Sequence, residues 1–180
     1  YRNKAKINDD IYVSGNLGDS YLGLLILKNK LKINNRLKKY FIDQYFMPNI
    51  QLKLTDQIKK FANTSIDISD GLLADLEKMI NNQEFSYKLF LDDIPISNNL
   101  KKILDLKKLP KINYVSNGDD YQVLFTASKN KSRIIRNIAS NCRVKLTKIG
   151  SIQSYVEKSS VVDSKNVKIS PKNKGYFHKF

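Results

Sequence analysis

Apolar residues recur at helical spacing in several parts of this chain. The clearest case is the segment 72–80, whose leucine, methionine and isoleucine side chains form one stripe, while Asp75, Glu77 and Lys78 are predicted to face solvent. Similar spacing, ended by turn-forming residues, predicts further helices over 21–27, 31–46, 54–62, 98–106 and 129–141. The chain is therefore predicted to contain amphipathic helices that pack against a common core.

Segments rich in β-branched and aromatic residues are predicted to be strands. They cover 10–14, 85–91, 121–127, 144–149 and 155–162, with a further short one at 167–169. Helices and strands mix without strict alternation, so the predicted fold class is α/β or α+β, with a mixed sheet packed with helices. A chain of 180 residues with 41% hydrophobic content is expected to form a single domain over 1–180.

The most informative motif is Asp67-Ile68-Ser69-Asp70-Gly71, which lies directly before the predicted helix 72–80. Backbone N–H groups and the helix dipole favour anions at such a position. Two carboxylates there would repel a phosphate unless a hard divalent cation lay between them, which suggests Mg²⁺-nucleotide chemistry. The alternative is that these residues only cap the helix, since Ser and Asp are favoured caps. The motif alone leaves both interpretations open.

Two further loops carry weaker signals. Gly15 to Gly18 separate the first predicted strand from a helix that Asp19 or Ser20 can cap, an arrangement that suits a phosphate but also any tight turn. The segment 116–120 is a polar turn before the strand 121–127, and it is predicted to face outward at the edge of the sheet. Neither loop identifies a ligand by itself.

The formal net charge of +15 raises the question of a nucleic-acid partner. Most of the cations are lysines scattered along the whole chain, and no RNA-binding or zinc-finger signature accompanies them. Nucleic acid is therefore not favoured as a partner.

No apolar run approaches the length of about 20 residues that crosses a bilayer, and the single Cys142 excludes an internal disulfide. We expect a cytoplasmic protein with no membrane partner.

Four separated segments, in this order, resemble thiamine-monophosphate kinase, a family of the aminoimidazole ribonucleotide synthetase-like superfamily. They are Ile11–Ser20, Ile66–Leu72, Asn117–Thr126 and Lys148–Gly150, followed by a tail, Gly175-Tyr176-Phe177-His178, that is similar to the end of the family's sequences. Their order and spacing spread the resemblance over nearly the whole chain. The fold it implies is that of the C-terminal domain of these enzymes.

The resemblance implies transfer of a phosphoryl group from ATP, with Mg²⁺, to thiamine monophosphate, giving thiamine diphosphate. It assigns Asp67 and Asp70 as Mg²⁺ ligands, Arg2 and Ser69 as ATP contacts, and Asp119 and Tyr176 as contacts with thiamine phosphate. No residue is assigned as a covalent catalyst, because positioning and charge neutralisation account for most phosphoryl-transfer catalysis. The family's full-length enzymes are expected to be homodimers.

The chain also departs from the family pattern. Asp119 stands in place of a Glu, which shortens the side chain that would reach the substrate. The N-terminal ATP-binding domain of the family has no counterpart here, so residues 1–9 are expected to include a linker from it, and the isolated chain is expected to have little or no kinase activity. Two alternative functions remain open: a basic nucleic-acid-binding module, and a degenerate remnant that folds without binding ligands.

Overall fold

The computed structural model describes residues 2–81 and 83–175. The helices are α1 (Asp19–Leu27), α2 (Asn35–Phe46), α3 (Leu52–Ile58), α4 (Leu72–Ile80), α5 (Asn98–Lys107), α6 (Ile112–Val115) and α7 (Ser132–Cys142), with short 3₁₀ turns at Leu91–Asp93 and Lys129–Lys131. The strands are β1 (Asp10–Ser14), β2 (Thr64–Asp67), β3 (Phe85–Phe90), β4 (Val123–Ala127), β5 (Leu146–Ser154) and β6 (Ser160–Val162). None of the described helices is both long enough and apolar enough to cross a bilayer.

The strands form a six-stranded sheet in the described part of the chain, in the order β2-β4-β1-β5-β3-β6. Neighbouring strands are antiparallel except for the parallel pair β3–β6. The predicted mixed sheet packed with helices is confirmed. Strand β2, which leads into the Asp67 motif, lies at one edge of this sheet and pairs with β4, which follows the 116–120 turn. The fold thus brings two segments that are far apart in sequence next to each other.

Alternating side chains divide the core between the two faces of the sheet. Ile11, Val13 and Leu124 point to the face covered by α4, whose predicted apolar stripe is buried there. Tyr12 and Phe125 point to the opposite face, which is covered by α3 and α7. A third cluster joins α1, α2, α5 and α6 beside the sheet; its buried members include Leu22, Phe41, Leu100 and Tyr114.

The bounds of several elements differ from the prediction for local reasons. The predicted helix 31–46 begins only at Asn35, because the Asn34 side chain accepts a hydrogen bond from the Leu37 N–H (3.0 Å) and fixes the start there. Helix α5 is capped by the Ser97 hydroxyl rather than by Asn98 or Asn99. The predicted strand 155–162 shrinks to β6, with Tyr155 and Val156 exposed.

Residues 2–9, which fall in the expected linker, lie against the domain. The Asn3 N–H donates to the Met79 carbonyl and the Asn8 N–H to the Ile152 carbonyl, both at 3.0 Å. Ala5 is buried, and its backbone exchanges two hydrogen bonds with the Gln83 side chain. These contacts hold the segment against α4 and β5.

The aromatic cluster under α3 and α7 provides a test of the packing. Phe125 is fully buried, stacks on Tyr12 at 5.2 Å between ring centroids and meets Phe61 edge-on, also at 5.2 Å. We expect Phe125→Ala to lower the free energy of unfolding by about 3–5 kcal/mol, because it leaves a large cavity. Chemical denaturation measures this change. Val156→Ala is the control, because Val156 is 92% exposed and its loss should cost less than about 0.5 kcal/mol; equal effects would contradict this packing.

Candidate active site

The two motif loops lie side by side and are joined through their backbones. Beyond the β2–β4 pairing, the Ile68 N–H donates to the Gln122 carbonyl (2.8 Å), the Tyr121 N–H donates to the Ile68 carbonyl (2.9 Å), and the Asp119 N–H donates to the Ser69 carbonyl (3.0 Å). The hydrogen-bond ladder between the antiparallel strands β2 and β4 thus continues into the two loops. As a result, Ser69 and Asp119 become direct neighbours.

Two glycines allow this close approach. A Cβ atom on Gly118 would clash with the Ser69 carbonyl oxygen, and one on Gly71 would clash with the Ser116 carbonyl oxygen. Gly71 also has φ of 123°, a conformation that side chains disfavour. Each loop therefore needs a glycine at the point where the other loop passes.

Asp75 holds the motif loop in its conformation, and the prediction that it faces solvent is wrong. Its side chain is 1% exposed, and its Oδ2 accepts hydrogen bonds from the N–H groups of Ser69 (2.9 Å), Asp70 (2.8 Å) and Gly71 (3.1 Å). The carboxylate thus satisfies the N–H groups of the three residues that directly precede α4. The backbone donors of the motif are occupied by the protein itself.

The motif's own side chains do not cap α4. The cap position is Gly71, which has no side chain to accept a hydrogen bond. The Asp70 carboxylate instead forms an ion pair with Lys78, whose Nζ also lies 3.0 Å from Asp75 Oδ1. Burial lowers the pKa of Lys78, but its bonds to Asp70 and Asp75 outweigh this and leave that pKa above its ordinary value. Helix capping therefore does not account for Asp67 and Asp70.

Three acidic residues act electrostatically on Tyr121. Burial raises the pKa of the Tyr121 phenol, and the charges of Asp119, Asp67 and Asp70 raise it further. Burial also raises the pKa of Asp119, with Asp70 adding to the effect and Lys28 opposing it. The fold therefore brings Asp67, Asp70 and Asp119 into one acidic group, although the first two come from one loop and the third from the other.

The 116–120 turn does not face outward as predicted, because Asp120 points into the protein. Its side chain is 4% exposed and accepts hydrogen bonds from the N–H groups of Gly18 (2.8 Å) and Ser20 at the start of α1. The phosphate position suggested by the glycine loop 15–18 is thus filled by an internal carboxylate. Burial raises the pKa of Asp120 well above its ordinary value; the backbone bonds oppose this, and Asp19 and Asp119 add to it.

Asp19 and Asp120 lie beside a cavity of about 260 Å³. Asp19 accepts hydrogen bonds from Ser97 Oγ (2.7 Å) and from the Tyr40 hydroxyl (2.9 Å). Burial and the nearby Asp19 raise the pKa of Tyr40 to about 12, so the phenol stays protonated as a donor. Asp19 is thus a buried acceptor for side chains, and it does not cap α1 as predicted.

The structure does not gather all of the predicted site residues. Arg2 is exposed, and its neighbour Asn3 is bonded to Met79 at the C-terminal end of α4, roughly 10 Å along the helix from Leu72 at ~1.5 Å per residue. Tyr176 lies outside the described residues. The chain before it does reach the motif, because a Cβ on Gly175 would lie 2.7 Å from the Asp70 carbonyl oxygen and the Ala74 N–H donates to the Lys174 carbonyl (3.1 Å).

The acidic group does not amount to a complete metal cage. Among residues 2–81 and 83–175, no three His, Cys, Asp or Glu side chains are placed so that they could hold one metal ion together. Mg²⁺, however, commonly binds one or two protein carboxylates and takes its other ligands from water and substrate phosphates. Asp67 and Asp70 supply donors of that kind.

Comparisons with known proteins identify relatives of the chain. No protein-family model matches it. Thiamine-monophosphate kinase of Buchnera aphidicola subsp. Acyrthosiphon pisum (strain APS) is 35% identical over 180 residues, 98% of this chain and 54% of that protein. The crystal structure of thiamine-monophosphate kinase from Stenotrophomonas maltophilia K279a has a TM-score of 0.78 and 28% identity, over 91% of this chain and 52% of its own. By sequence and fold, the chain is related to the C-terminal half of thiamine-monophosphate kinases.

The match to thiamine-monophosphate kinases confirms the family resemblance and the fold. AaThiL, whose structure is complexed with AMPPCP and TMP, has a TM-score of 0.76 and 28% identity over 98% of this chain and 53% of its own. The mixed sheet with its helices has the aminoimidazole ribonucleotide synthetase-like fold. The chain spans about half the length of the curated thiamine-monophosphate kinases it matches.

We expect Asp75→Asn to destabilise the motif loop. The Asn oxygen could still accept from the loop, but its NH2 group would then face the Lys78 ammonium. The opposite orientation leaves the three N–H groups without an acceptor, so we expect a cost of about 1–3 kcal/mol. Chemical denaturation measures the loss, and hydrogen exchange should show faster exchange at Ser69, Asp70 and Gly71. The exposed Asp56→Asn is the matched control. If both variants were equally stable, Asp75 would not be holding the loop.

Asp120 predicts a pH dependence of stability. Because its pKa is raised on folding, its contribution to stability is present below the pKa of the unfolded carboxyl and is lost as the pH rises through the folded-state pKa. Asn at this position cannot titrate. As the pH rises from about 4, the ordinary pKa of an Asp carboxyl, the Tm of Asp120→Asn should therefore rise relative to that of the unsubstituted chain. A difference in Tm that does not change with pH would contradict the assignment.

Proposed function

We propose that this chain forms the C-terminal part of a thiamine-monophosphate kinase active site, which phosphorylates thiamine monophosphate to thiamine diphosphate at the expense of Mg²⁺-ATP. The observation that carries the proposal is the convergence of Asp67, Asp70 and Asp119 across two loops. Support also comes from a relative of that name that matches 98% of the chain. The ligands of the AaThiL complex, AMPPCP and TMP, fit a nucleotide and the phosphorylated thiamine.

In this proposal Asp67 and Asp70 hold Mg²⁺ through their carboxylate oxygens. The ion would neutralise charge on the phosphates and so allow them to approach the acidic group. Asp70 is held by Lys78 in this structure, so Lys78 would keep the carboxylate neutralised until a metal replaces it. Neither role draws on the backbone N–H groups of residues 69–71, because Asp75 already accepts hydrogen bonds from them.

The remaining assignments concern the two substrates. Ser69 and Arg2 would contact ATP, Ser69 from within the motif loop and Arg2 from the other end of α4. Asp119 and Tyr176 would contact thiamine monophosphate, and an aromatic ring at Tyr176 would add about 0.5–2 kcal/mol by stacking on the cationic thiazolium. In-line positioning of the two phosphates, rather than covalent chemistry, would then be the contribution of these side chains.

The completed enzyme needs more than these 180 residues in this proposal. The aligned region is about half of each relative, and the described acidic group falls short of a metal cage. We expect little or no turnover from this chain alone, and dimerisation, where it occurs, to depend on the other half. A single cysteine and a nucleotide co-substrate favour the cytoplasm as its location.

Ligand-linked stabilisation tests the proposal. We expect the Tm of the chain to rise with thiamine monophosphate and AMPPCP when Mg²⁺ is present, because ligands that bind only the folded state stabilise it by about 2.7 kcal/mol at 100 times their Kd. The shift should be several degrees, at roughly 2–4 °C per kcal/mol for a chain of this size. Asp67→Asn combined with Asp70→Asn should abolish the Mg²⁺-dependent part.

The matched control is Asp92→Asn combined with Asp93→Asn, which removes the same charge from two exposed carboxylates outside the motif loops. This variant should keep the full shift. Absence of any Mg²⁺-dependent shift in the unsubstituted chain would contradict the proposal and favour the degenerate remnant. A salt-dependent mobility shift of labelled RNA or DNA, without any effect of thiamine monophosphate, would favour the nucleic-acid-binding module.

A further inference from the structure

A second cavity lies on the face of the sheet that α3 and α7 cover. It is a groove of about 550 Å³ between α7, β1 and β5. Its polar lining residues are Asp10, Tyr12, Lys129, Ser132, Arg136 and Lys148, and its apolar wall is formed by side chains of α7 and β5. A volume of this size is typical of sites for small molecules, which occupy about 300–1,000 Å³.

The groove carries an excess of positive charge. Asp10, the one acidic residue among the described lining residues, is neutralised by Lys148, whose Nζ lies 2.7 Å from Asp10 Oδ1. Lys129 and Arg136 are exposed at its rim, and neither takes part in an ion pair recorded among the described residues. The guanidinium of Arg136 is close enough to Tyr12 to act on its hydroxyl. Two cations therefore face the groove without a carboxylate to balance them.

Arginine is concentrated at this place in the chain. Only five of the 32 cationic residues are arginines, and three of these five, Arg133, Arg136 and Arg143, lie on or directly after α7. The segment 129–143 contains no acidic residue. Arginine differs from lysine in offering a planar set of donors that matches phosphate oxygens in a bidentate manner.

The groove is separate from the acidic group. Along β4, Asp67 pairs with Val123, whereas Asp10 pairs with Ala127 four residues farther on, roughly 13 Å at ~3.3 Å per residue. Strands β1 and β2 are also separated by β4 in the sheet. A ligand in the groove would not reach the Asp67 motif.

We propose that this groove binds a small molecule bearing a diphosphate group, with Lys129 and Arg136 holding the phosphates and the apolar wall receiving a ring. Charge complementarity favours such an occupant, because a diphosphate matches the two unpaired cations. The apolar wall suits a ring better than another charged group, and the volume of the groove suits a molecule of this size. This site is independent of the proposed kinase function. Its ligand would bind without Mg²⁺.

Titration calorimetry in EDTA at about 0.15 M salt, where charges beyond about 8 Å are largely screened, tests the proposal. The probes are ADP, AMP and inorganic pyrophosphate. We expect ADP to bind more tightly than AMP, because of the second phosphate, and more tightly than pyrophosphate, because of the ring. Arg136→Gln combined with Lys129→Gln should weaken ADP binding about tenfold, because each exposed charge pair contributes modestly and the variant removes both.

The matched control is Arg133→Gln combined with Lys131→Gln, which removes the same charge from the same segment at exposed residues that do not line the groove. It should change ADP affinity by less than about threefold. Equal weakening by both variants, or no ADP binding by the unsubstituted chain, would overturn the proposal. Equal affinity for ADP and pyrophosphate would overturn the role of the apolar wall. Asp67→Asn with Asp70→Asn should leave this binding unchanged, which separates it from any failure of the kinase proposal.

Discussion

The arrangement of the candidate site depends on two buried carboxylates that hold backbone N–H groups. Asp75 accepts from three N–H groups just before α4, and Asp120 accepts from two at the start of α1. Each side chain comes from a segment that must fold back onto the loop it binds. Loss of either acceptor would leave several buried backbone donors unsatisfied. The two loops can therefore lie against each other in one conformation.

These internal bonds also decide how an anion can approach. Free backbone N–H groups near a helix start attract phosphate, but those of residues 69–71 are already bonded to Asp75, and those of Gly18 and Ser20 to Asp120. A phosphate near the motif meets the oxygens of Asp67, Asp70 and Asp119, which repel it. A cation bound between the carboxylates and the phosphate would turn this repulsion into attraction. The electrostatic argument from the sequence therefore holds for the side chains. The backbone N–H groups of the loop, which the sequence suggested could attract an anion, are instead bonded within the protein.

The sequence predicted well those helices and strands whose bounds are determined by local patterns. The bounds of β1 and α4 agree with the prediction because each has a clear period and a clear stop. The burial of Asp75 was not predicted, because its position relative to the apolar stripe of α4 also suits a residue that faces solvent. The available signal was its place in the first turn of the helix, where a carboxylate can reach back to the preceding loop. Asp119 and Asp120 are consecutive residues just before a strand, where consecutive side chains point to opposite sides of the chain. This alternation was the signal that one of the two acids would be buried. The pairing of the two loops depends on contacts between distant segments, which no local pattern encodes.

The carboxylates that shape the loops are different residues from those proposed for the chemistry. The loop architecture and the proposed chemistry can therefore be altered independently by substitution. A lineage that no longer needed the reaction could lose Asp67 or Asp119 while the domain continued to accumulate in the cell, because neither side chain supports the backbone around it. Persistence of this fold in a genome is consequently poor evidence that its chemistry persists, and only the identity of the exposed acids carries that information.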